Sequence, residues 1–143
     1  MRIVVMIVLA LCACEKPAVP AVLTDALVEQ YIKALSDTVD NPYEVVCKGG
    51  QRTQRYLTLP DERRRDVIDV WTKKHGFKGL HHHGDVKAAI VTAREILEKR
   101  RSDPSYQPSP PMPDADIATV AKHLDRIRAA TDAESARWPS CNY

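Results

Sequence analysis

The sequence has few aromatic residues and almost no net charge. Aromatic side chains make up 6% of the 143 residues, with a single Phe and two Trp, so aliphatic side chains and alanine must supply most of the core. Lys and Arg number 21 against 19 Asp and Glu, which leaves a net charge of +2. Dedicated nucleic-acid-binding proteins carry a clustered basic excess, so we expect no nucleic-acid partner. The length corresponds to one domain.

Motifs that mark common catalytic sites are also missing. The chain contains no GxSxG elbow and no HExxH sequence, and its glycines lack the spacing of a phosphate-binding loop. The carboxylates are scattered, and none lies in an apolar run where burial would raise its pKa. We therefore expect that the protein is not an enzyme.

Only one strongly hydrophobic run is present, and it is short. Arg2 is followed by nine apolar residues, Ile3 to Leu11, whereas a membrane-spanning helix needs about 20. A positive start, a short apolar stretch and small residues at its end are typical of a secretory signal peptide. A buried N-terminal strand or helix of the folded domain is the alternative.

The end of this run resembles the lipobox of bacterial lipoprotein precursors. The matching residues are Leu11, Ala13 and Cys14, while Cys12 replaces the more common Ala, Ser, Thr or Val. The resemblance implies a signal peptide over residues 1–13, cleavage before Cys14 and acylation of the Cys14 thiol.

Acyl chains on Cys14 would tether a domain to the membrane without a transmembrane helix. Residues 14–22 are then the lipidated cysteine and a short tether. In this family, Asp after the lipidated cysteine retains the protein at the inner membrane. Glu15 stands there instead, which favours the periplasmic face of the outer membrane. A secreted protein cut at another position is the alternative.

Two cysteines remain in the mature chain, Cys47 and Cys141. Because an extracytoplasmic compartment favours oxidation, we predict that they form a disulfide that fastens the C-terminal tail to the loop after the first helix. An enzyme that uses Cys47 as its nucleophile is a competing hypothesis, but no local catalytic signature surrounds this residue.

Apolar residues recur every three or four positions in four segments, which predicts four helices and no strand. The first begins near Leu23 and ends before Asp40. The second follows Pro60 and ends before Gly76. The third is capped by Asp85, and the last begins near Asp114.

These helices predict an all-α, small four-helix bundle-like domain over residues 23–143. Residues 102–114 are rich in proline and should cross the domain without forming a helix. The stretch from Val70 to Phe77, with the helix after it, resembles the helical hairpins of uncharacterised periplasmic proteins. That resemblance implies an all-α fold and no activity.

Three consecutive histidines, His81 to His83, suggest a zinc site completed by Asp85, with His75 nearby. Adjacent residues on a regular helix point in different directions, however, so only an irregular loop could bring His81 and His83 together. A solvated polar turn before a helix is the simpler interpretation. We keep zinc binding or handling through His81, His83 and Asp85 as the alternative function, and otherwise expect no cofactor.

A second cluster, Arg63 to Arg65, could meet anionic lipid or an acidic partner. Because acidic residues lie next to these arginines, the more common interpretation is that the cluster belongs to the solvent-exposed side of a helix. Together these features predict a cell-envelope lipoprotein that acts as a non-catalytic protein-interaction or structural module. A helix face or the Trp138 tail would then contact an envelope protein, and the lipid would contact the membrane.

Overall fold

Four α-helices and one β-hairpin account for most of residues 21–141, the part of the chain that this computed structural model describes. The expected signal peptide, Cys14 and most of the expected tether lie outside this range. The elements, in chain order, are α1 (Asp25–Ser36), β1 (Val45–Lys48), β2 (Gln51–Gln54), a 3₁₀ turn (Arg55–Thr58), α2 (Asp61–Lys74), α3 (Leu80–Ser102) and α4 (Asp114–Ala136).

The ends of α1 and α2 follow local sequence signals. The Thr24 side chain accepts a hydrogen bond from the backbone N–H of Leu27 at 3.2 Å and caps α1. Gly76 has φ +86° just after α2, and the Phe77 N–H donates to the Thr72 carbonyl at 3.1 Å. This is the left-handed C-terminal turn that glycine favours, with Phe77 folded back into the core.

The start of α3 differs from the sequence prediction. The helix begins at Leu80, so the cap predicted at Asp85 is wrong and the histidine triplet lies in the first turn of the helix. The carboxylate of Asp69, on α2, accepts the backbone N–H of Leu80 at 3.0 Å. A cap supplied by a neighbouring helix replaces the local one.

The core lies where α4 packs against α1 and α3. Its fully buried residues are aliphatic, as the composition predicts, and they come from all three helices: Val28, Ala34, Val86, Ile90, Ala93, Val120 and Ile127. Charged side chains close the edge between α1 and α4. Lys122 and His123 of α4 both contact the Asp25 carboxylate, and Arg126 pairs with Glu29.

The hairpin corrects the prediction that the chain has no strand, so the fold is mostly helical rather than all-α. β1 and β2 pair antiparallel, with Val46 opposite Thr53. Gly49 and Gly50 join them with φ of +57° and +78°, the positive values that a two-residue hairpin turn requires. Cys47 therefore lies on a strand and not in a loop.

Residues 103–113 contain no helix or strand and run beside α3. The Arg100 guanidinium donates to the Tyr106 carbonyl at 3.0 Å, which fastens the start of this segment to the end of α3. Where the segment ends, the buried Asp116 carboxylate accepts backbone N–H groups of Val22 and Leu23, at 3.1 and 2.8 Å. The beginning of the described chain is thus attached to the N-terminal turn of α4.

Candidate functional site

The aromatic side chains gather around one histidine. His83 is 4% exposed, and its ring lies 5.3 Å from that of Tyr43 and 4.9 Å from that of Phe77, centroid to centroid. Trp71 lies 5.9 Å from it, edge on. Because α3 begins at Leu80, His83 lies in the first turn of the helix, on the face that packs against the core. Its side chain is therefore buried and not exposed to solvent.

The structure does not bring the proposed zinc ligands together. His81 and Asp85 are exposed on α3, whereas His83 points to the opposite side of the helix and is buried. The His81 imidazole contacts the Arg65 guanidinium at 3.2 Å, and His75 contacts the Asp37 carboxylate at 2.8 Å. Within residues 21–141, no group of three or more His, Cys, Asp or Glu side chains could hold a metal ion.

A small cavity lies beside His83, and we call it the His83 cavity. Its volume is about 50 Å³, and α1, the turn before β1, α2, α3 and α4 all contribute to its wall. The lining residues are Tyr31, Ala34, Leu35, Asn41, Tyr43, Trp71, His83, Lys87 and Glu134. One water needs roughly 10–15 Å³ of such space, so the cavity has room for a few non-hydrogen atoms.

Burial controls protonation in this cavity. It lowers the pKa of His83 to about 4, and the positive charge of Lys87 acts in the same direction. It raises the pKa of Tyr31 to about 12 and also raises the pKa of Glu134, although Lys87 and Arg137 oppose the rise at Glu134. At neutral pH the inner wall is therefore an uncharged imidazole and an uncharged phenol.

The charges lie at the outer end of the cavity. Lys87 is exposed, and its ammonium lies 5.4 Å from the centre of the Tyr43 ring. It follows His83 by one helical turn, so both lie on the same face of α3. Glu134 is half-buried on α4 and carries the opposite charge.

A second concave surface, which we call the α2 groove, lies on the outer side of α2. Its volume is about 460 Å³. Val67, Val70 and Trp71 supply its apolar atoms, and its charged lining residues are Asp40, Arg63, Asp66 and Lys74. Val70 is 69% exposed, the largest exposure among the large hydrophobic side chains of the described chain. Trp71 separates this groove from the His83 cavity because it lines both.

The arginine cluster has divided roles. Arg63 lines the α2 groove. Arg64 donates to the Leu59 carbonyl at 2.9 Å and holds the chain that leads into α2, while Arg65 contacts His81. The three side chains do not form one continuous basic surface.

The predicted disulfide is confirmed. Cys47 and Cys141 are bonded, with 5.6 Å between their Cα atoms, so Cys47 offers no free thiol for the nucleophile hypothesis. The Arg52 guanidinium also donates to the Pro139 carbonyl at 2.9 Å, and Trp138 lies over the hairpin beside Leu57. The C-terminal tail is therefore fastened to the hairpin.

No helix of residues 21–141 is long and apolar enough to cross a membrane. Of the side chains in the two concave surfaces, sequence reasoning had considered only His83 and Arg63 for a functional role. Lys87 could have been suspected from its spacing of four from His83, but Tyr43 and Glu134 carry no local signal.

Comparison of the chain with protein-family models, with curated proteins and with solved structures finds no match.

Proposed function

We propose that this protein is a lipid-anchored cell-envelope protein that acts without catalysis, by binding a partner protein in the α2 groove. The observation that carries the proposal is the exposure of Val70 on a concave surface whose accessible atoms are mostly apolar. Grooves of several hundred Å³ with an apolar floor and a few polar groups at the rim are common binding sites.

The compartment is supported by two independent features. The sequence from Leu11 to Cys14 resembles a lipobox, which would place diacyl lipid on Cys14. The disulfide between Cys47 and Cys141 joins residues 94 apart, and such bonds persist mainly in oxidising compartments outside the cytoplasm. With Glu15 after the lipidated cysteine, we assign the protein to the periplasmic face of the outer membrane.

The rim of the groove indicates the chemistry of the partner. Asp40 and Asp66 are acidic, and Arg63 and Lys74 are basic. A segment that places one large apolar side chain over Val70, with charges of both signs beside it, would complement this surface. Because a membrane anchor raises the local concentration near other envelope proteins, a modest intrinsic affinity would suffice.

A photocrosslinking amino acid at position 70 of the full-length chain tests the groove in cells. The matched control carries the same amino acid at position 91, because Val91 is also an exposed valine, 39% accessible, but lies on α3 outside the groove. We expect one reproducible envelope protein crosslinked from position 70 and not from position 91. Identical products from both positions would contradict the proposed binding surface.

The anchor is tested separately with Cys14→Ala in the full-length chain. We expect this variant to lose incorporation of labelled fatty acid and to leave the membrane fraction. Cys12→Ala is the matched control, because it removes the neighbouring thiol and keeps the proposed modification site. A Cys14→Ala protein that is still labelled and still sediments with membranes would refute lipidation at this position.

A further inference from the structure

Two side chains that line the His83 cavity carry buried polar atoms that nothing in the described chain satisfies. The Nδ1 atom of His83 and the indole Nε1 of Trp71 are both inaccessible to solvent and have no hydrogen-bond partner. Each belongs to a side chain that is more than nine-tenths buried. Folded proteins rarely leave such atoms unpaired, so we expect small rotations of the two rings to bring these atoms into contact with water or a ligand in the cavity.

Two opposite charges without ion-pair partners line the same cavity. Among the residues described, neither Lys87 nor Glu134 has an ion-pair partner within 4.0 Å. By contrast, the carboxylates of Asp25, Glu29 and Asp69 each have a cationic partner. The cavity therefore offers one cation and one partly desolvated carboxylate to whatever occupies it.

From this arrangement we infer that the His83 cavity binds a small zwitterion, an α-amino acid of the size of glycine. The ligand ammonium would bind the Glu134 carboxylate, and the ligand carboxylate would bind the Lys87 ammonium. The aromatic face of Tyr31 would add attraction for the ammonium group. Small rotations of the Trp71 and His83 rings would let the indole N–H and the neutral imidazole bind the remaining ligand oxygen.

The charges and the size exclude simpler ligands. A plain carboxylate would meet repulsion from Glu134, and a plain amine would meet repulsion from the Lys87 ammonium above the Tyr43 ring. A volume of about 50 Å³ leaves no room for a long or aromatic ligand side chain. This inference does not rest on the α2 groove, so the absence of crosslinks at position 70 would leave it standing.

Isothermal titration of the purified, disulfide-intact protein tests the inference with glycine, alanine, acetate, methylamine and phenylalanine as probes. We expect glycine to bind at millimolar concentration or below, and alanine, which has one more non-hydrogen atom, to bind no more tightly. Acetate and methylamine, each with one charge, should bind at least about tenfold more weakly, and phenylalanine should not bind. If none of the five binds, or if acetate or methylamine binds as tightly as glycine, the inference is wrong.

Two substitutions connect the binding to the cavity. Lys87→Met and Glu134→Gln should each weaken glycine binding by about tenfold or more, because each removes one charged contact. Lys87 is exposed and Glu134 is half-buried, so both variants should fold, which circular dichroism checks. Glu95→Gln, an exposed change on α3 outside the cavity, is the matched control and should bind as the unchanged protein does. Unchanged binding in both cavity variants would overturn the assignment.

Discussion

Removal of the disulfide should destabilise the whole domain. The bond joins residues 94 apart, and the loss of loop entropy in the unfolded chain predicts a stabilisation of about 4.7 kcal/mol for a loop of this length. The free energy of unfolding of a small domain is roughly 5–15 kcal/mol, so the double variant Cys47→Ala/Cys141→Ala should lose a large part of its stability. Its folded state should nevertheless keep the four helices, because their core does not contain either cysteine.

Removal of the disulfide should destabilise the hairpin more than the helices. No Cα atom of either strand lies within 8 Å of a Cα atom in α1 to α4. The hairpin is held at its base by Arg55, which pairs with Glu44 at 3.0 Å, and at its side by the tail that Cys141 fastens. Without the bond, we expect the amides of Val46 and Thr53 to lose most of their protection from hydrogen exchange.

Urea unfolding followed by circular dichroism gives the global change, and hydrogen exchange with mass spectrometry gives the local one. The control is a reducing agent, which should lower the stability of the unchanged protein and leave that of the double variant unaltered. A loss of less than about 1 kcal/mol in the free energy of unfolding, with unaltered hairpin protection, would refute the loop-entropy reasoning.

Three further predictions concern the helical core. Because burial lowers the pKa of His83 to about 4 from 6.5, only the unfolded chain takes up this proton between those values. Above pH 6.5 this group should therefore not affect the free energy of unfolding. As the pH drops to 4, the free energy of unfolding should fall by up to about 3 kcal/mol. Urea titrations measure this loss, which should be absent in His83→Phe. Asp116→Ala leaves the buried N–H of Leu23 and the partly buried N–H of Val22 unpaired, so it should cost about 2–4 kcal/mol in the same assay. The exposed Asp114→Ala should cost under about 1 kcal/mol, and equal losses would contradict the role given to Asp116. Ile90→Ala should lower the free energy of unfolding by about 2–5 kcal/mol, seen as a lower thermal midpoint. Val91→Ala, a change at the exposed neighbouring residue, should lower it by only about 0.3 kcal/mol. A small effect at both positions would mean that the core does not lie where we describe it.

The sequence predicted the four helices because their signals are local. Apolar spacing and the glycine after α2 both act within a few residues. The start of α3 was misplaced because its cap, Asp69, belongs to another helix. The hairpin was missed because β2 is polar and half-exposed, so it shows no alternation of apolar and polar residues.

The concave surfaces were harder to predict than the disulfide. The disulfide followed from the number of cysteines and the expected compartment, and needed no knowledge of the fold. The His83 cavity needs Tyr31, Lys87 and Glu134, which lie on three helices and meet only after α4 has packed. Nor could a local pattern have shown that His83 is buried while His81, two residues away, is exposed.

Helix α4 joins the two ends of the described chain mechanically. Near its start, Asp116 holds the backbone of Val22 and Leu23, and just beyond its end, Cys141 is bonded to the hairpin. Its 23 residues span about 34 Å. A pulling force applied between Ala21 and the hairpin would be shared by two paths. One is the backbone through α1, which leads directly into β1. The other runs lengthwise through α4 and ends at a covalent bond on one side and a few hydrogen bonds on the other. On the path through α4, the hydrogen bonds of Asp116 are weaker than the disulfide, so they would break first and the C-terminal tail would stay attached to the hairpin.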